Sequence, residues 1–126
     1  MSAATACAGV LVVEDDADIT EALVQVLESE GMAVRAAGNG QIALDLLRAP
    51  GSPLPCVILL DLMMPVMDGW TFRSTQLRDP TIAHIPVVIL TAGGPAAVTD
   101  RVRADAMLRK PVDLETLLAT LARYVT

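Results

Sequence analysis

Aromatic residues are almost missing from this chain. Its 126 residues include one Trp, one Tyr and one Phe, 2% together, so the core has to be aliphatic, built from Val, Leu, Ile, Ala and Met. Histidine occurs once, as His84, in a Pro-flanked loop between Asp79-Pro80 and Pro86, and no catalytic or metal role is expected of it. Basic clusters are also missing. With a net charge of −6 and no Lys/Arg run, the chain lacks the electrostatic footprint of a nucleic-acid binder, and direct contact with nucleic acid is not expected. The two cysteines, Cys7 and Cys56, have neither CxxC nor Cys/His spacing, so zinc is unsupported. They read as a tail thiol and a small buried hydrophobe. Long apolar runs are lacking too, although 53% of residues are hydrophobic and mean hydropathy is +0.52. The longest run, Cys56 to Leu60, falls far short of the roughly 18 residues that span a bilayer, so no membrane contact is expected. Met1 to Gly9 has no basic n-region and no long apolar core. That stretch is expected to be a short flexible tail without a secretion signal, and the location cytoplasmic.

The chain has enough residues for one domain and too few for two, so 10–126 is expected to fold as a single unit. Short apolar runs alternate along it with segments of helical period. Val10-Leu11-Val12-Val13 is a continuous apolar run, as in a strand buried on both faces. Ile19, Leu23, Val26 and Leu27 follow at helical spacing, with Asp18 and Glu21 as a candidate capping box and Gly31 at the helix end. Met32 to Ala36 reads as a second strand and Gly40 to Arg48 as a second helix. A loop at Pro50-Gly51-Ser52-Pro53 leads to a third strand, Cys56 to Leu60, with Asp61 at its carboxyl end. Pro65 to Gly69 is a turn, Trp70 to Leu77 a third helix and Pro86 to Leu90 a fourth strand. A weak helix over Pro95 to Arg103, a short strand over Asp105 to Leu108 and a last helix with Asp113 as N-cap complete a (βα)5 pattern. Such alternation with short connections predicts a doubly wound parallel α/β sheet with helices on both faces.

Ligands of an open parallel sheet bind at the carboxyl ends of its strands, and the ionisable residues collect there. Glu14, Asp15 and Asp16 follow the first strand, Asp61 ends the third, Thr91 ends the fourth and Lys110, the only lysine, follows the fifth. In the strand order 2-1-3-4-5 these sites would share one rim, with neighbouring strands about 4.8 Å apart. Two unit charges about 4 Å apart repel by about 4 kcal/mol at an effective dielectric of 20, so clustered acids need a counter-charge. Mg²⁺ fits, since it takes one or two carboxylates and keeps waters for a phosphate. Acids, a cation site, a hydroxyl and a lysine together suit phosphoryl transfer, where positioning and charge neutralisation carry most of the catalysis.

With these residues in view, Val13-Glu14-Asp15-Asp16, Leu60-Asp61 through Asp68-Gly69, Leu90-Thr91-Ala92 and Arg109-Lys110-Pro111 resemble the receiver domains of bacterial response regulators. The resemblance covers about Val10 to Tyr124 and implies a five-stranded flavodoxin-like receiver fold. It implies that Asp61 accepts a phosphoryl group from a sensor histidine kinase or a histidine phosphotransfer protein and forms an acyl phosphate. Asp15, Asp61 and the Met63 carbonyl would ligate Mg²⁺, with Glu14 acting through a water. Thr91 and Lys110 would hold phosphate oxygens, and Lys110-Pro111 would be a cis peptide. The chain would then be a signalling protein, an enzyme only for its own aspartyl phosphorylation and dephosphorylation, acting on a downstream protein partner through a phosphorylation-dependent surface change.

Two features depart from the family. Met107 stands where an aromatic switch residue is usual, three positions before Lys110, and the span from Thr91 to Lys110 is about three residues short. Both favour an alternative reading as a protein-binding module with weak or atypical phosphorylation switching. An aspartyl-nucleophile phosphatase is disfavoured, because such an enzyme needs an acid two residues after its nucleophile and Met63 stands there. Trp70 is expected to be a partly buried helix residue, and Met64 and Met67 to serve packing.

Overall fold

The computed structural model describes residues 7–62, 64, 66–91 and 104–125. Five parallel strands, β1 (Val10–Val13), β2 (Val34–Ala37), β3 (Val57–Asp61), β4 (Val87–Thr91) and β5 (Ala106–Arg109), form one sheet in the order β2-β1-β3-β4-β5. This is the doubly wound arrangement expected from the alternating pattern, closed by α1 (Ala17–Ser29), α2 (Gly40–Arg48), α3 (Gly69–Leu77) and a last helix, Leu114–Ala122. The expected helix over 95–103 lies outside the described residues.

Period-two alternation within the strands divides the core between the two faces of the sheet. Leu11, Val13, Ile58, Leu60, Val87 and Ile89 face α2 and α3, packing with Ala43, Leu44, Leu47 and the fully buried Phe72. Val10, Val12, Val57, Leu59, Val88 and Leu90 face the other way, against Leu27 of α1 and Leu117 and Leu121 of the last helix. With so few aromatic rings, each layer is an interlocking set of branched aliphatic side chains.

Several local expectations shift. The N-cap of α1 is Asp16, not Asp18: its carboxylate accepts from the amides of Asp18 at 2.9 Å and Ile19 at 3.1 Å, satisfying two donors of the first turn. Asp113 caps the last helix as expected, accepting from the Thr116 amide at 3.0 Å. The second strand begins at Val34, two residues later than its apolar run, and β5 ends at Arg109, one residue beyond the expected Leu108. The Lys110–Pro111 peptide is cis.

The larger correction concerns the amino terminus. Cys7 and Cys56 are joined in a disulfide, so neither the tail-thiol reading nor the free buried-hydrophobe reading holds. The end of the stretch expected to be flexible, Cys7 to Gly9, is tied to the sheet. Ala8 donates to the Leu54 carbonyl at 2.8 Å and Cys56 to the Gly9 carbonyl at 2.7 Å. Gly9 has φ +63°, and a Cβ there would lie 1.9 Å from the Ala33 carbonyl oxygen, so only glycine fits where the segment passes this backbone.

Candidate functional site

The strand order makes the carboxyl ends of β1, β3, β4 and β5 contiguous, and the register sets them level. Val13 pairs with Leu60, Asp61 with Leu90 and Thr91 with Arg109. Glu14, one residue past β1, therefore stands beside Asp61, and Lys110, one residue past β5, stands beyond Thr91. A backbone bond from the Lys110 amide to the Thr91 carbonyl at 2.8 Å fixes the latter placement. From the far side, α3 starts directly against the end of β3. Asp68 caps it by accepting from the Thr71 amide at 2.8 Å, and Gly69 allows the approach, since a Cβ there would meet Leu62 Cα at 2.7 Å and the Asp61 carbonyl oxygen at 2.8 Å.

Carboxylate oxygens of Glu14, Asp15 and Asp61 all lie within 4.8 Å of one another. Glu14 and Asp61 are buried, at 3% and 5% exposure, whereas Asp15 is open to solvent. Lys110 reaches in over the pair, its Nζ 3.4 Å from Glu14 Oε1 and 3.4 Å from Asp61 Oδ1. Thr91 is buried at the neighbouring strand end. Burial pushes the Glu14 carboxyl up to about 7; the Asp16 amide, donating to Glu14 Oε2 at 3.2 Å, pulls the other way, and the Asp61 carboxylate adds to the rise. At Lys110 burial acts to lower the pKa, but the Asp61 and Glu14 carboxylates outweigh it and hold the ammonium above its usual value. One ammonium thus pairs with two buried carboxyl groups of a cluster of three, and of that pair Glu14 takes up a proton the more readily for its raised value.

This donor set fits a hard divalent cation. All three side chains offer oxygen, their spacing suits a shared ion, and the exposed flank at Asp15 leaves room for waters and a phosphate. Five of the six expected site residues, Glu14, Asp15, Asp61, Thr91 and Lys110, fall on this one rim; the sixth, Met63, lies outside the described residues. Asp16 turns away to cap α1, Met107 is half-buried against the core, and His84 is exposed in the loop before β4. Trp70 is half-buried against the core as expected. The sequence reading missed Val66, which is 84% exposed in the β3–α3 loop with φ +68°. A β-branched residue seldom occupies that left-handed region, so the Pro65-to-Gly69 turn carried no signal for it.

The family model described as the response regulator receiver domain matches residues 10–122. The chain belongs to this family. Among curated relatives, the receiver is 40% identical over 115 residues to the response regulator MprA of Mycolicibacterium vanbaalenii, covering 87% of this chain and 47% of the relative. It is 35% identical over 119 residues to the DNA-binding dual master transcriptional regulator RpaA of Synechocystis, covering 87% of this chain and 46% of that protein. The receiver therefore spans about half the length of these relatives. Among solved structures, the chemotaxis response regulator CheY4 of Vibrio cholerae superposes with a TM-score of 0.82 at 31% identity, covering 94% of this chain and 99% of that one. The protein is a signalling domain of a two-component system, of the kind phosphorylated on an aspartate. Among the described residues, no helix is long and apolar enough to cross a membrane.

Proposed function

We propose that Asp61 is the phosphoacceptor of this receiver and that its donor is a histidine kinase or a histidine phosphotransfer protein. The observation that carries this reading is the placement of Lys110 Nζ 3.4 Å from both Asp61 and Glu14, with Asp15 completing the acidic cluster. An Asp61 carboxylate oxygen attacks phosphorus, the P–N bond to the donor imidazole breaks, and the imidazole leaves with the bonding pair and takes a proton. The product is an aspartyl phosphate. Lys110 pairs with one phosphoryl oxygen in place of its present contact with Asp61, and the Thr91 hydroxyl donates to another. Mg²⁺, held by Asp15, Asp61 and the Met63 carbonyl with Glu14 behind a water, would neutralise charge on the transferring group. Hydrolysis of the acyl phosphate by water returns the domain to its resting state, so its catalysis is confined to its own modification.

The reading extends to a cytoplasmic setting and to a downstream protein partner. Nucleic-acid contact is not assigned to this chain: its charge is −6, and the DNA binding in RpaA's description belongs to a protein more than twice as long as the shared region. A second reading, a binding module with weak switching, draws on Met107. That side chain packs half-buried where the family usually has an aromatic residue, and a flexible thioether couples less sharply to Thr91 than a ring.

The decisive experiment is intact-mass spectrometry of purified protein treated with Mg²⁺ and a small acyl phosphate. Wild type should gain one phosphoryl group, and Asp61→Asn should gain none. Equal modification of both would overturn the assignment.

A further inference from the structure

The disulfide lies at the end of the sheet away from the acidic rim. Cys56 immediately precedes β3, and Asp61 closes the same strand. Five residue-to-residue steps of extended chain separate them, roughly 17 Å. The two residues differ in exposure: Cys7 is exposed, while Cys56 is 6% exposed. Their Cα atoms are 4.8 Å apart, inside the range a disulfide requires without backbone movement. Two backbone bonds flank the pair, from Ala8 to Leu54 and from Cys56 to Gly9, and the glycine-only passage beside Ala33 fixes the path of the segment. Backbone contacts alone therefore bring the cysteines into register.

We infer that Cys7 and Cys56 form a reversible thiol–disulfide site, opened by a dithiol reductant, whose state sets the stability of the fold. A thiolate of the dithiol attacks Sγ of Cys7, the exposed residue of the pair. The S–S bond breaks, and its electron pair leaves on Cys56 Sγ, which takes a proton. The second thiol of the reductant then attacks its own sulfur in the mixed disulfide and releases Cys7. The dithiol is oxidised to a cyclic disulfide and the protein gains two electrons and two protons. The reverse reaction is favoured by the register, because reduction leaves the flanking backbone bonds in place and the two thiols side by side. In the cytoplasmic setting of the proposed function, on which this step rests, disulfides are typically of this transient, redox-responsive kind. The bond closes a long loop, its ends separated by 49 positions in the sequence, so breaking it releases chain entropy mainly in the unfolded state.

The site is tested on the full chain, equilibrated in buffers of graded reduced-to-oxidised dithiothreitol, quenched with N-ethylmaleimide and weighed intact. Monomer should pass from no adduct to two adducts in one transition, and the oxidised form should melt about 10 °C above the reduced form. In Cys7→Ser, whose substitution is at an exposed position, the melting temperature should no longer depend on the buffer. Acceptance of phosphate by Asp61 should proceed within about twofold in both redox states, since the strand ends are well separated; loss of phosphorylation in both states would count against the proposed function and leave the redox site standing. Two adducts under all buffers, disulfide-linked dimers in place of the intrachain bond, or oxidised and reduced forms melting together would each overturn the inference.

Discussion

Glu14 shows how a single residue can make the resting site sensitive to pH. Burial is the chief reason its carboxyl rises from 4.5 to about 7. The folded protein therefore holds this proton more tightly than the unfolded chain does. The resulting stability is fully present below about pH 4.5 and is lost as pH rises through about 7. The raised Lys110 contributes evenly across that window, since its own loss lies above 10.5. Asp79, lowered mainly by the Thr81 hydroxyl, has its effect below 3.8. Metal-free wild type should thus lose up to about 3 kcal/mol between pH 5 and pH 8, as read by urea denaturation, and Glu14→Gln should flatten the slope. The same slope in both proteins would remove Glu14 as its source.

Among the elements, α3 is held to the end of the sheet opposite the site by polar groups. Arg73 and Gln76, one turn apart, are both buried. Arg73 donates to Gln76 Oε1 at 2.9 Å and pairs with Asp105 Oδ1 at 3.5 Å, while Gln76 Nε2 donates to the carbonyls of Ile82 at 2.9 Å and Ile85 at 3.1 Å. Asp105 in turn accepts from the Val87 amide at 2.9 Å. One cluster thereby fastens α3 to the loop before β4 and to the residue before β5. Burial lowers the Arg73 pKa and Asp105 opposes the fall, so the guanidinium is costly to bury and depends on its acceptors. Arg73→Ala should destabilise the fold by about 2–4 kcal/mol in chemical denaturation, through a cavity and an orphaned Gln76 carbonyl. Arg73→Met, which refills the space, should cost less. A neutral Arg73→Ala would show that the cluster carries no net stability.

The molecule as a whole places a metal-fitting acidic cluster at one end of a rigid aliphatic core, so occupancy of that cluster should be readable as global stability. Mg²⁺ at about 100 times its dissociation constant adds about 2.7 kcal/mol to a protein that binds it only when folded. Thermal melts of wild type should therefore rise by several degrees on addition of Mg²⁺. Asp15→Asn should abolish most of the rise, whereas Asp18→Asn should retain it. Both substitutions remove one negative charge, but only Asp15 belongs to the cluster; Asp18 lies in the first turn of α1. Equal losses in the two variants would assign the effect to general electrostatics.

Fold class and the contents of the rim were legible in the order of residues alone. Continuous apolar strands separated by helical periods can be buried only in a covered parallel sheet, and that topology places Glu14, Asp15, Asp61, Thr91 and Lys110 at carboxyl ends, whatever the details of packing. Local caps such as Asp113 were legible for a related reason: they depend on neighbours two or three residues away. Contacts distant in sequence were decided only in three dimensions. The pairing of Cys7 with Cys56, the Arg73–Asp105 link and the rise of the Glu14 carboxyl all depend on which atoms the folded chain brings within a few ångströms and shields from water. No periodicity encodes these, because burial and distance are properties of the assembled core, not of any segment within it.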